Sequence, residues 1–196
     1  MDEIEARFGL DLARAAIKKW LRTNKILELK KAPSSFEQKR GVFISLYIWP
    51  EKELRGCIGL PYPVLPLHKA IISSAIEAAN DPRFEPVKIE ELERIIFELS
   101  VLTEPRELFV KNTEDYPKYI RIGRDGLIVK KGAHTGLLLP QVATEYGFDE
   151  NEFLIQTCLK AGLPPMAWTD SDTKIYTFQA EVWTEKRPEG DVIRLL

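Results

Sequence analysis

Only four residues, Pro50-Glu51-Lys52-Glu53, separate two stretches with strand character, and a link that short leaves no room for a crossover helix. In the first stretch, GVFISLYIW, Val42, Ile44, Leu46 and Ile48 alternate with Phe43, Ser45, Tyr47 and Trp49, the pattern of a strand buried on one face and partly aromatic on the other. The second, residues 54–58, returns as the outgoing arm of a β-hairpin and carries a cysteine between glycines.

The rest of the chain repeats this economy. ARFGLDLARAAIKKWLRTNK places Leu10, Ala13, Ile17 and Trp20/Leu21 near the 3.6-residue period of an amphipathic helix ending near Thr23. Residues 24–40 read as a loop. Pro66 opens a helix, LHKAIISSAIEAA, that is apolar around most of its circumference and is closed by Asn80-Asp81-Pro82. RIIFELSVL, 94–102, reads as a strand. YIRIGRDGLIVKKGAHTGLLL reads as a meander turning at Arg124-Asp125-Gly126 and again at GAHTG. Pro140 starts a short helix that Gly147 ends, Asp149 and Glu152 suggest a capping box for another, and KIYTFQAEVWT alternates as a last strand. Turns too short for crossover helices join most strands, so the expected class is α+β, a mainly antiparallel sheet with flanking helices. At 196 residues the chain fits one domain, 1–196, with two unequal lobes whose boundary the sequence does not mark.

Composition narrows function by exclusion. The formal charge is −2 with both signs interspersed, so no general attraction to nucleic acid or anionic lipid is expected. Lys30, Lys31, Lys39 and Arg40 form a local basic group that reads as a solvated loop. No apolar run approaches the ~20 residues of a membrane span. The N-terminal MDEIEARFGL is acidic where a signal peptide would be basic and then apolar, so a cytoplasmic protein is expected. Four Asn and four Gln beside abundant Lys and Glu make a thermophile-like composition. Two cysteines and two histidines supply neither a disulfide framework nor a four-ligand zinc site, so no metal and no cofactor are predicted. No Gly-rich phosphate loop opens a helix.

The chemistry-bearing candidates gather around ELRGCIGLPYP. Residues two apart on a strand share a face at about 6.5–7 Å, which predicts Arg55 and Cys57 side by side. A unit charge at that range is worth about 2 kcal/mol to a thiolate at an effective dielectric near 20, so a modest lowering of the thiol pKa is expected. Gly56 and Gly59 admit a close approach to the backbone, by a ligand or by a packed neighbour, or mark a bulge. Cys57 and Arg55 are therefore candidate catalytic residues, against the alternative that Cys57 is a small residue in a tight hairpin. Neither His68 nor His134 is near in sequence to serve as a base, and each is expected to be a surface or turn histidine. Cys158 lies on the inward face of its helix and reads as core. In NDPRFEP, Asp81 and Arg83 flank a proline, a geometry that presents the arginine to an anion or pairs it with Asp81. Gln141, in the first turn of a helix, is placed to meet a ligand's carboxylate or a neighbouring loop.

Taken in order, GVFISL, LRGCIG, AANDPRFEPV, ELERIIFELSVL, GLLLPQVATEYG and LIQTCLKAGLP resemble the AMMECR domain family, whose hallmark is LRGCIG, from about Phe8 to Trp183. The resemblance implies an α+β fold of two unequal lobes and no settled reaction. It also implies a pathway shared with Memo-type and radical SAM proteins, which would here be separate polypeptides. Its motif positions are Arg55, Gly56, Cys57, Ile58, Gly59, Asp81, Arg83, Phe84, Leu139, Pro140, Gln141 and Gly162. The functional expectation is a ligand- or partner-binding protein with its site at the RGCIG hairpin. Its binding residues would be Arg55, Gly56, Cys57, Gly59, Asp81, Arg83, Phe84 and Gln141. The alternative is a thiol-dependent enzyme acting on a small anionic substrate.

Overall fold

The computed structural model describes all residues, Met1–Leu196, and divides into two compact units: Met1–Leu102 with Glu181–Leu196, and Thr103–Ala180. The fold is α+β, with one five-stranded and one four-stranded antiparallel sheet.

In the first unit, α1 (Glu3–Thr23) begins at a capping box in which Asp2 and Glu5 satisfy each other's backbone N–H, and ends at Asn24 in the left-handed region. After a single turn at Ser34–Phe36 come β1 (Gly41–Ile48) and β2 (Glu53–Leu60), the expected hairpin with a longer second arm. Next are α2 (Leu67–Ala79) and β3 (Ile95–Leu102), which pairs antiparallel with the other edge of β1. One sheet face, bearing Val42, Ile44, Leu46, Phe97 and Leu99, is buried against Leu10, Ala13 and Ile17 of α1 and Ile71, Ala75 and Ala78 of α2. The opposite face bears Ser45, Cys57 and Glu98 in one row across three strands.

In the second unit, β4 (Arg106–Glu107), β5 (Gly126–Lys131), β6 (His134–Leu138) and β7 (Lys174–Phe178) form a sheet in the order β4-β7-β5-β6. The helices are α3 (Pro140–Tyr146) and α4 (Glu150–Lys160). Phe153, Leu154 and Cys158 of α4 pack with Leu127, Val129 and Ile175, so Cys158 is core as its position suggests. Gly136 has no side chain where the α4 backbone at Thr157 and Ala161 passes it.

The first unit is completed by β8 (Ala180–Glu185), beside β3, and β9 (Val192–Arg194). Glu185 on β8 receives Arg14 of α1 at 2.6 Å, while Arg14 also donates to the carbonyls of Leu92 and Ile95. This buried pair ties the returning segment to the first helix.

Three sequence expectations need correction. KIYTFQAEVWT is not one strand: it breaks at Gln179, and β7 and β8 join different sheets. The stretch before Arg124-Asp125-Gly126 is not a meander arm: Tyr119 is the last residue of a 3₁₀ helix (Thr113–Tyr119), and residues 120–123 run irregularly into the turn without forming a strand. At α4 only half of the capping box forms: Asp149 accepts the Glu152 N–H at 2.8 Å, but the Glu152 carboxylate binds Gln156 instead.

Candidate functional site

The hairpin register sets the site. Cys57 stands opposite Ser45, and Ser45 stands opposite Glu98 on β3. The Ser45 hydroxyl donates to Cys57 Sγ at 3.2 Å. Ser45 and Glu98 are buried, and Cys57 is partly so.

The chain leaving α2 closes over the same strand. Asp81, buried just past the helix end, accepts the Cys57 backbone N–H through Oδ2 at 2.9 Å and the Arg83 backbone N–H through Oδ1 at 3.1 Å. Arg83 grips that carboxylate with both edges of a fork, Nε to Oδ1 at 3.0 Å and Nη2 to Oδ2 at 2.6 Å, and reaches the Cys57 carbonyl at 3.3 Å. Pro82 between them presets the turn. The Arg83 fork, first of all, together with the backbone N–H groups of Cys57 and Arg83, holds the Asp81 carboxyl down at about 2, against the opposing effect of burial. Arg83 Nη1 makes no hydrogen bond within the chain, and 52% of the side chain is exposed. Its guanidinium also lies 5.5 Å from the Phe84 ring centroid.

The thiol behaves opposite to the expectation. Burial, chiefly, pushes the Cys57 thiol up, with Glu98 and Asp81 adding to it, and the Ser45 hydrogen bond and the Arg83 charge do not offset this. Arg55 is not the neighbouring charge. The ladder has a bulge where Leu46 faces Gly56 and Tyr47 faces Leu54, which leaves Arg55 as the extra residue and breaks the alternation that predicts it beside Cys57. Its guanidinium instead forks onto Glu91, at 2.9 and 3.1 Å, and donates to the carbonyls of Glu85 and Pro86. Burial would raise the Glu91 carboxyl, but Arg55 and the Lys88 N–H outweigh it and hold Glu91 below its ordinary value.

The motif glycines admit packed neighbours. A Cβ on Gly56 would collide with the carbonyl oxygen of Ala78 at the end of α2, and one on Gly59 with the Val42 carbonyl and the Phe43 ring. His68 is not a surface residue: it is buried, with Nδ1 3.0 Å from the Phe36 carbonyl oxygen. His134 is exposed at the start of β6, with Nδ1 3.2 Å from the Ala161 carbonyl oxygen. Gln141 lies in the second unit, in the first turn of α3, and its Oε1 is buried without a hydrogen-bond partner. The structure thus assembles Cys57, Asp81, Arg83 and Phe84 at one corner and assigns Arg55 to the adjoining strut. Ser45 and Glu98 escaped the sequence reading, although Ser45 among apolar neighbours and a lone acid inside RIIFELSVL were visible signals. No three or more His, Cys, Asp or Glu side chains gather to hold a metal ion.

The AMMECR1 family model matches residues 10–183, and so takes in every residue of this corner. The chain belongs to the AMMECR1 family. It is 54% identical to Protein PF1979 of Pyrococcus furiosus over 192 residues, 95% of this chain and 91% of that protein. With Protein MJ0810 of Methanocaldococcus jannaschii the identity is 48% over 190 residues, 96% of this chain and 94% of the other. The crystal structure of uncharacterized protein PH0010 from Pyrococcus horikoshii superposes with a TM-score of 0.94 at 48% identity, covering 99% of this chain and 98% of that one. No helix of this AMMECR1 protein is long and apolar enough to cross a membrane.

Proposed function

We propose that the protein is a cytoplasmic binding protein that takes a small anionic ligand at the RGCIG hairpin, with Arg83 as the recognising cation and Cys57 as a neutral thiol contact. The observation that carries this reading is the state of Arg83: its inner edge is fixed by Asp81 and its outer edge is left toward solvent. A guanidinium oriented in advance loses little side-chain freedom when it meets a carboxylate or phosphate, and its planar fork suits either. Two free thiols fit a reducing compartment.

A thiol enzyme needs a thiolate, and the burial of Cys57 works against one. The test is a thermal-shift and calorimetric screen of small mono- and dicarboxylates, inorganic phosphate and sulfate against the native chain and Arg83→Ala. Binding that Arg83→Ala loses and Cys57→Ser keeps supports the reading. Binding that survives Arg83→Ala, or no anion binding, overturns it, and turnover lost in Cys57→Ser establishes the enzyme instead.

A further inference from the structure

A second basic site lies wholly within the second unit, in a cleft of about 340 Å³ at the end of its sheet where β4 and β5 begin and β7 ends. Phe178 is the one apolar residue of its lining, so the cleft suits a polar group rather than a hydrocarbon body. Two arginines from different elements, Arg106 and Arg124, share it.

Arg124 repeats the device seen at Arg83. Asp125 beside it is buried and accepts its Nε through Oδ1 at 2.7 Å and its Nη2 through Oδ2 at 2.6 Å. The same carboxylate takes the Arg121 backbone N–H at 2.9 Å. Asp125 is thus committed to its own turn, and Arg124 is oriented in advance, with Nη1 unbonded and 45% of the side chain exposed. Arg106, the first residue of β4, is exposed and makes no ion pair and no side-chain hydrogen bond. Its register partner on β7 is Thr177, so the two side chains project from one face, and the Thr177 hydroxyl is likewise unbonded. Thr103 Oγ1 accepts the Gln179 backbone N–H at 2.8 Å, which leaves its own proton to donate. Glu104 is the one opposing charge without a partner: it is exposed and pairs with neither arginine.

We infer that this cleft binds a diphosphate group, one phosphoryl on Arg106 and the Thr177 hydroxyl and the other on the outer edge of Arg124. A guanidinium fork matches phosphoryl oxygens, and two forks on separate elements match two linked phosphoryl groups better than one. A lone phosphate or carboxylate engages a single guanidinium here, which sets this site apart from the one at Arg83.

The test is isothermal titration of the full chain carrying Arg83→Ala, so that the hairpin site is silent, with pyrophosphate and with orthophosphate at fixed ionic strength. The expected result is one pyrophosphate per chain, bound about thirtyfold more tightly than orthophosphate, the effect of one more charge-assisted pair. Arg106→Ala, at an exposed position with no bonds to lose, should weaken pyrophosphate binding by about the same factor and leave the fold intact. Glu104→Gln should tighten binding by removing the opposing charge. ADP bound as tightly as pyrophosphate would place the group on a nucleotide, and ADP bound more weakly would make inorganic diphosphate the ligand; either result supports the inference. No pyrophosphate binding, binding undiminished in Arg106→Ala, or equal affinity for the two phosphates would overturn it. With Arg83 replaced throughout, the outcome is independent of the hairpin reading.

Discussion

The Asp81 carboxylate and the Cys57 backbone N–H are joined at 2.9 Å, across the gap between the end of α2 and the second arm of the hairpin. This bond makes the cysteine's position depend on the NDPRFEP turn, and the same carboxylate aims Arg83. Two motifs well separated in the sequence are therefore one structural unit.

Removing that carboxylate should loosen both. Asp81→Ala deprives the Cys57 N–H and the Arg83 fork of their acceptor, and a loss of about 2 kcal/mol is expected from hydrogen bonds to a buried charged group. Urea unfolding of the native and variant chains measures it.

Acid should act through the same group. The folded pKa of Asp81, about 2, is depressed below its ordinary value of 3.8, so its contribution is fully present above that value and is lost as pH falls through about 2. Unfolding free energy followed from pH 5 to pH 2 should decline more steeply for the native chain than for Asp81→Asn, which has no carboxyl to protonate there.

Arg55 and Arg83 should separate cleanly. Arg55→Ala removes the fork to Glu91 and two carbonyl contacts, so a stability loss of about 1–2 kcal/mol is expected. Because Arg83, and not Arg55, is the cation acting on the thiol, Arg55→Ala should leave the reactivity of Cys57 unchanged. Arg83→Ala should raise the thiol pKa further and slow its alkylation.

The glycines should resist even one added methyl group. Gly56→Ala sets a Cβ against the Ala78 carbonyl, a backbone atom that moves only if α2 moves, and about 3 kcal/mol of destabilisation is expected. Thermal unfolding of Gly56→Ala beside Gly132→Ala controls for the substitution itself, since Gly132 has open space although its φ of +56° adds some strain.

The hairpin, α1, α2 and the Pro140 helix were legible because each is a local pattern with local punctuation. What failed depended on distant partners. The alternation of Tyr176, Phe178, Ala180 and Val182 runs unbroken through Gln179, and nothing in a period of two says which sheet each half will join. The bulge at Arg55 exists only relative to β1, and Glu91, which takes its guanidinium, is 36 residues away. For the same reason the sequence could place a positive charge near Cys57 but named the wrong arginine. His68, read as a surface or turn residue, is buried because the Ser34–Phe36 turn offers a carbonyl to its ring.

The most direct test of the account is the pH dependence of Cys57 alkylation in the native chain, with Cys57→Ser used to subtract Cys158. A thiol kept neutral by burial should react slowly at neutral pH and show an apparent pKa above the ~8.5 of a free thiol. Rapid alkylation with an apparent pKa below that value would mean an activated thiolate, and would contradict the reading of Cys57 as a neutral contact in a binding site.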